Sequence, residues 1–263
     1  MGTLFLVATP IGNLEDLSPR AARILSEVDA VAAEDTRVTR KIYERFKLAS
    51  PSIRFSCHEH NEEQATRRIL GLLREGRHVA LCSDGGMPCV SDPGYRAVNA
   101  CIEAGFPIEI IPGPSAVTTA IALSGLPGAS FTFKGFPPRK TGARRRYLEQ
   151  DKDLPHTLVF FESPYRLGAF LKDAFEVLGD RRAAVCLEMT KQFESVRRDY
   201  LSILASAYDD KSTVRGEATI VIAGNNPKFM LAEATETHPT HQNARCTPPA
   251  TATGMKPNDV WSG

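Results

Sequence analysis

Three short stretches have residue types and spacings suited to holding a small anionic or zwitterionic ligand. The richest is Ser83–Gly94, SDGGMPCVSDPG, between an apolar run, His78–Cys82, and a helical pattern over Tyr95–Ala104. A strand that breaks into glycines before a helix bares backbone N–H groups at the carboxyl edge of a sheet, where open α/β sheets bind ligands. Gly85 and Gly86 permit close backbone approach and positive φ. Asp84 and Asp92 suit loop orientation or ligand contact, and Asp92-Pro93 reads as the N-cap and first residue of the following helix. Thr9–Asp16, TPIGNLED, follows the run Thr3–Ala8, and Ile111–Ala116, IPGPSA, follows Ile108–Ile110. None of the three is a P-loop or a G-x-G-x-x-G turn. Three strand-ending loops of this kind imply one shared pocket.

Charged groups fall at the same edge. Glu34, Asp35 and Arg37 follow the apolar run Ala30–Ala33, and Lys191 follows another, so all four are candidates for acid–base or charge-stabilising work. The competing reading of Glu34–Arg37 is an ion-pair cluster at a helix start. His58 and His60 read as a surface loop or a structural hydrogen bond. Arg139, Lys140, Arg144, Arg145 and Arg146 place five cations within eight positions after GFPP, a pattern for phosphate contact from a flexible loop, with a solvated helix face as the competing reading. Few aromatics accompany them, so base stacking is not strongly indicated.

The elements that must position these groups alternate through the first half. Ser18 and Pro19 read as the cap and first turn of a helix with Ala21, Ile24, Leu25 and Val28 on one face. Ala30–Ala33 is a strand, Val38–Phe46 and Glu62–Glu75 are helices, and His78–Cys82 and Ile108–Ile111 are strands each followed by a helix. This β-α alternation predicts a mostly parallel sheet covered on both faces. After LPGAS at 126–130 come strands Phe131–Lys134, Thr157–Glu162, Ala183–Met189 and Ala218–Ala223, with a helix over Tyr165–Leu178. The expectation is an α/β protein of two domains, 1–125 and 126–224, with a cleft between them. Residues 225–263, rich in Thr, Pro and Ala, read as a disordered tail. His238, His241 and Cys246 within it lack a fourth ligand and a scaffold for a metal.

Composition narrows the classes. With 263 residues, 24% of them charged, and a net charge of +1, the chain is an ordinary globular protein and not a basic nucleic-acid binder overall. Any RNA contact must be local. The six cysteines form no C-x-x-C pair and read as reduced thiols of a cytoplasmic protein. No secretory leader pattern opens the chain, and no stretch approaches the ~20 apolar residues of a membrane span.

The blocks VATPIGNLEDLSPRA (7–21), AAEDTR (32–37), HEHNE (58–62), SDGGMPCVSDPG (83–94) and PGPSA (112–116) are followed in order by GFPPRK (135–140), FFESPYR (160–166), EMTK (188–191) and RGE (215–217). This ordered set resembles the small-subunit ribosomal RNA (cytidine-2′-O)-methyltransferase family of the tetrapyrrole methylase superfamily, over residues 3–224. The resemblance implies two α/β domains of the tetrapyrrole methylase type with S-adenosylmethionine in the cleft between them. It implies 16S ribosomal RNA of the small subunit as substrate, a homodimer, and no metal. Matched by position, the cofactor contacts are Ile11, Gly85, Gly86, Met87, Val90, Ser115, Ala116, Glu162, Met189 and Ala218. The family commonly has S-D-A-G-T-P where Ser83–Pro88 reads SDGGMP, and histidine where Tyr165 stands. A methylase of tetrapyrroles or other small molecules, or a non-catalytic S-adenosylmethionine-binding protein, would share the same pocket.

Overall fold

The computed structural model describes residues 1–209 and 216–231. Strands β1 (Leu4–Val7), β2 (Ala30–Ala33), β3 (Ile53–Ser56), β4 (Val79–Cys82) and β5 (Ile108–Ile111) make a wholly parallel sheet in the order β3-β2-β4-β1-β5. The strands alternate inward residues between two cores. Helices α1 (Pro19–Glu27) and α2 (Thr36–Phe46) pack Ala21, Leu25, Ile42 and Tyr43 on Phe5, Val7, Val31 and Ala80. Helices α3 (Glu62–Arg74) and α4 (Tyr95–Glu103) pack Ala65, Ile69, Ala97 and Cys101 on Leu4, Ala32, Val79 and Leu81 on the other face. The cap of α1 is as expected: Ser18 Oγ accepts from the Ala21 N–H at 3.0 Å, with Pro19 in the first turn.

Strand order decides where a ligand can sit. β1 and β4 are neighbours, yet β1 leads over α1 on one face to β2, while β4 leads over α4 on the opposite face to β5. Their loops part in opposite directions and open a crevice between them.

The second sheet contains β6 (Phe131–Phe133), β7 (Thr157–Glu162), β8 (Arg182–Leu187), β9 (Ser195–Tyr200) and β10 (Ala218–Ile222), in the order β6-β7-β10-β8-β9. Only β6–β7 is parallel. Helices α6 (Thr141–Glu149), α7 (Leu167–Leu178) and α8 (Leu201–Ala207) cover one face. Phe160 and Phe170 are fully buried there with tilted rings 5.1 Å apart. Burial of each ring contributes about 1.5–3 kcal/mol. Helix α5 (Ala116–Ser124) precedes the turn at 126–130 in sequence, but it packs Val117, Ala120 and Ile121 on Val159, Ala184 and Val221 of the second sheet.

Four elements escaped the sequence reading: β3, β9, α6 and α8. β9, SVRRDY, is an edge strand whose residues are all partly or fully exposed, so it carries no apolar run. The basic segment is in part a helix, α6, in line with its competing reading and not the flexible loop, but the helix is anchored by buried Leu148 and Arg144 and is not wholly solvated. Residues 225–231, expected within the tail, are held to the body by backbone hydrogen bonds. The Asn225 N–H bonds Leu154 O at 2.7 Å, the Leu231 N–H bonds Asp180 O at 2.9 Å, and Asn226 caps a 3-10 turn at Pro227–Phe229. Backbone hydrogen bonds hold this piece, and they leave no trace in apolar periodicity. The rest of the expected tail, 232–263, with His238, His241 and Cys246, lies outside the described residues, as does Arg215. Among the described residues no helix is long and apolar enough to cross a membrane, and Cys57, Cys82, Cys89, Cys101 and Cys186 are free thiols.

Candidate active site

A cleft of about 780 Å³ opens at the β1/β4 crevice and is closed from above by the second sheet. Its floor is backbone. The Thr9 and Gly86 N–H groups each donate to the other residue's carbonyl at 2.9 Å, tying the loop after β1 to the loop after β4. Thr9 Oγ1 donates to Ser83 O and Ser83 Oγ to Gly86 O, which fixes the inner turn. Gly86 has φ +91°, a conformation that residues with a side chain rarely adopt, so the turn favours glycine here, although an added Cβ would make only ordinary contact, 3.4 Å from Ile11 Cγ2. Ser115 is the N-cap residue of α5, and Ala116 and Val117 open its first turn onto the cleft.

The acidic wall is a clamp. Glu34 Oε2 accepts from the Asp84 N–H at 3.1 Å, and Asp84 Oδ1 accepts from the Asp35 N–H at 2.9 Å, so the ends of β2 and β4 hold each other. Burial raises the Asp84 carboxyl above its ordinary range. Burial, with Glu34 beside it, pushes Asp92 up to about 7. Asp92 is not the helix cap expected from Asp-Pro. The N-cap of α4 is Gly94, at φ +127°, and the capping carboxylate comes from α3: Glu62 Oε1 accepts from the Gly94 and Arg96 N–H groups at 2.9 and 3.1 Å. Asp92 is thereby left to line the cleft.

The second sheet contributes side chains. Glu162, at the end of β7, is buried; its Oε1 accepts from the Ser163 N–H and from Arg166 Nε at 2.7 and 2.8 Å, while the equally buried Oε2 has no partner. Lys191 stands between Glu188 Oε1 at 3.0 Å and Glu217 Oε2 at 3.2 Å. Burial works against its charge, but the two carboxylates outweigh it and raise its pKa. Lys191 is therefore a fixed cation and not a base. Glu188 and Thr190 hold φ of +50° and +65° in the loop that carries it. That loop meets the first sheet at Gly12, where a Cβ would be 2.5 Å from Lys191 Cγ and 2.9 Å from Met189 O.

The cleft gathers Ile11, Gly85, Gly86, Met87, Val90, Ser115, Ala116, Glu162, Ala218, Glu34 and Lys191. It does not gather the remaining candidates. Met189 is packed into the core against α5. Asp35 and Arg37 pair with each other at the start of α2: Asp35 caps the helix by accepting from the Arg37 N–H, and the guanidinium bond holds its carboxyl at about 2. That is the ion-pair reading of this pair. Arg144 is also corrected. It is 3% exposed and bound to Asp173, so it cannot reach a phosphate. Arg145 is half-buried and tied to Asp173 and Glu176. Only Arg139, Lys140 and Arg146 of the basic run are exposed. Phe136, Phe161 and Glu217 line the cleft without having been singled out. The GFPPRK, FFESPYR and RGE blocks already held all three, but no spacing rule points a lone phenylalanine or glutamate at a ligand.

The fold and cleft define a methylase of the tetrapyrrole class: the family model described as Tetrapyrrole (Corrin/Porphyrin) Methylases matches residues 3–205. Among solved structures, uroporphyrin-III C-methyltransferase from Thermus thermophilus complexed with S-adenyl homocysteine superposes with a TM-score of 0.60 at 23% identity, over 84% of this chain and 97% of that one. Diphthine synthase superposes with a TM-score of 0.63 at 17% identity, over 84% and 90%. The ribosomal RNA small subunit methyltransferase I of Halalkalibacterium halodurans is 46% identical over 232 residues, 88% of this chain and 79% of that protein. Its counterpart in Thermotoga maritima is 45% identical over 224 residues, 85% of this chain and 99% of that protein. The chain belongs to the ribosomal RNA small subunit methyltransferase I family within the tetrapyrrole methylases.

Proposed function

We propose that this protein transfers a methyl group from S-adenosylmethionine to the ribose 2′-oxygen of a cytidine in the 16S RNA of the small ribosomal subunit. The observation that carries the reading is the similarity, along nearly the whole described chain, to proteins named ribosomal RNA small subunit methyltransferase I. The cleft fits the cofactor. The unpartnered, buried Glu162 Oε2 lacks a donor that a ligand hydroxyl or amino group would supply, and the Gly86 backbone leaves room for close approach. Ile11, Gly85, Gly86, Met87, Val90, Ser115, Ala116, Glu162 and Ala218 would hold it. When bound, it supplies an electrophilic methyl.

The chain's own residues do the rest. Orientation of the attacking oxygen is the main task, worth about 7–11 kcal/mol in well-aligned reactions. Lys191, fixed as a cation, stabilises negative charge on the attacking oxygen. Asp92, with a pKa near neutrality, is the group on the acidic wall suited to hold the released proton. Arg139, Lys140 and Arg146, exposed beside the cleft, would bind RNA phosphates. We read the two sheets as two domains, in a cytoplasmic protein that works as a homodimer; sedimentation velocity tests the last point.

The test is transfer of labelled methyl to purified small ribosomal subunits lacking the modification, with mapping of the product. Label on a cytidine ribose 2′-oxygen is expected. Transfer to uroporphyrinogen and none to the subunit would replace this reading with the small-molecule one.

A further inference from the structure

Phe136 is an apolar ring in an unusual place. It is 59% exposed, yet it lines the cleft. Its ring lies 5.6 Å from that of Phe161, which in turn packs edge-on against Phe133 at 4.8 Å. The ring is therefore backed on one side by an aromatic pedestal and bare on the other.

The loop that presents it is held from both ends. The Phe161 N–H donates to Gly135 O at 2.9 Å and the Lys134 N–H to Val159 O at 2.9 Å, while the Tyr147 hydroxyl donates to Lys134 O. At the far end, Arg144 Nη1 donates to Arg139 O at 3.2 Å, with the guanidinium itself held by Asp173. The buried arginine thus serves the loop and not a phosphate. Between these anchors Pro137 and Pro138 restrict the backbone further. Directly after them come Arg139 and Lys140, both exposed and outside every ion pair among the described residues. A rigid loop that offers a bare aromatic face on the cleft, with two free cations three and four positions on, has the parts that grip one unstacked nucleotide and its neighbouring phosphates.

We infer that Phe136 is the stacking platform for the base of the target nucleotide, and that Arg139 and Lys140 hold the adjoining phosphates. This rests on the reading of the cleft as an RNA methylation site. It assigns Phe136 a positioning role on the substrate and none on the cofactor, whose side of the cleft is the glycine loops and Glu162. Recognition through a π-face requires the nucleotide to leave its stack, so a base-paired target would be a poor substrate.

The experiment compares Phe136→Leu, Phe136→Ala and Phe136→Trp with the parent protein, all checked for unchanged melting temperature. Base–aromatic stacking lost to alanine corresponds to about a 5–150-fold loss of affinity. Phe136→Ala and Phe136→Leu should raise KM for small ribosomal subunits within that range. Phe136→Trp should stay within about threefold of the parent, because stacking tolerates any aromatic face. Cofactor affinity, read by calorimetry, should not move. A leucine variant with the parent KM would overturn the stacking role, since leucine keeps apolar bulk and removes only the π-face. A loss of cofactor affinity in the alanine variant would assign the ring to the cofactor and overturn it equally. Co-sedimentation of the protein with small ribosomal subunits reads binding without turnover. Parent protein that co-sediments with subunits through Phe136 but transfers no methyl would sink the proposed activity and leave the platform standing.

Discussion

The two sheets build the cleft from different materials. The parallel sheet supplies a backbone floor, from the paired amides of Thr9 and Gly86, the glycines at 85 and 86 and the first turn of α5, with the carboxyl groups of Glu34, Asp84 and Asp92 along one wall. The mixed sheet supplies side chains: Phe161, Glu162, Lys191 and Glu217. A parallel strand ends in a loop whose amides point past the sheet edge, so a ligand can be met without a dedicated side chain. The mixed sheet, whose strands mostly alternate in direction, sends only some of its loops to this edge and reaches into the cleft with long residues. Backbone contacts should therefore fail through steric intrusion and side-chain contacts through lost charge or shape, and substitutions can separate the two.

The largest effect is expected where the halves meet. Gly12→Ala puts a methyl within 2.9 Å of Met189 O, so the halves must shift. Methyl transfer should fall by more than about 100-fold, since misplacement of about 1 Å costs that much. Full activity would show that the halves do not need this approach. Next comes the basic segment. Arg144→Ala removes one of the two arginines that hold buried Asp173, leaving Arg145 on the other oxygen, and should cost about 1.5–3 kcal/mol in urea unfolding. Arg139→Ala should change stability by less than about 0.5 kcal/mol and flatten the salt dependence of RNA binding instead. Equal stability losses would erase the distinction between buried and exposed cations.

A smaller effect separates the side-chain half from its neighbour at α2. Lys191→Met should lower kcat about 100-fold with cofactor affinity little changed, as for loss of one oxyanion-stabilising donor. Asp35→Asn should leave kcat as it was, because Asp35 serves the helix cap. The reverse pattern in single-turnover assays would restore Asp35 to the chemistry. The mildest test concerns stability alone. Asp92, raised to about 7, keeps its proton in the folded state after the unfolded chain has lost its own. The stabilisation this brings is full below about pH 4 and is lost as pH rises through 7, leaving a charged, half-buried carboxylate. Asp92→Asn should match the parent at pH 4 and melt about 3–6 °C higher at pH 8. A pH-independent difference would mean that Asp92 is not perturbed.

The same contrast explains what was legible in the sequence. β2 and β7 were readable to the residue, because buried strands are continuous apolar runs. The glycine loops were readable because glycine and proline after a strand restrict what the backbone can do. β9 was not readable, because its residues alternate too weakly in hydrophobicity. Arg144 and Arg145 looked like their exposed neighbours, since sequence does not show that Asp173 waits 29 residues on to bury one of them. Asp92 was misassigned for a like reason: the cap of α4 comes from Glu62, 32 residues earlier, and no local motif records it. Phe136 went unmarked because an aromatic residue in a loop ordinarily belongs to the core.

The Asn13 backbone N–H donates to Thr190 Oγ1 at 3.0 Å across 177 positions of sequence. A contact of such separation closes a very large loop, and its entropy is recovered only after both ends are folded. During synthesis the residues around Asn13 leave the ribosome long before Thr190 exists. A chain made only as far as the parallel sheet lacks Phe161, Glu162, Lys191 and Glu217, so the cleft is complete only once the last strands of the second sheet have been made.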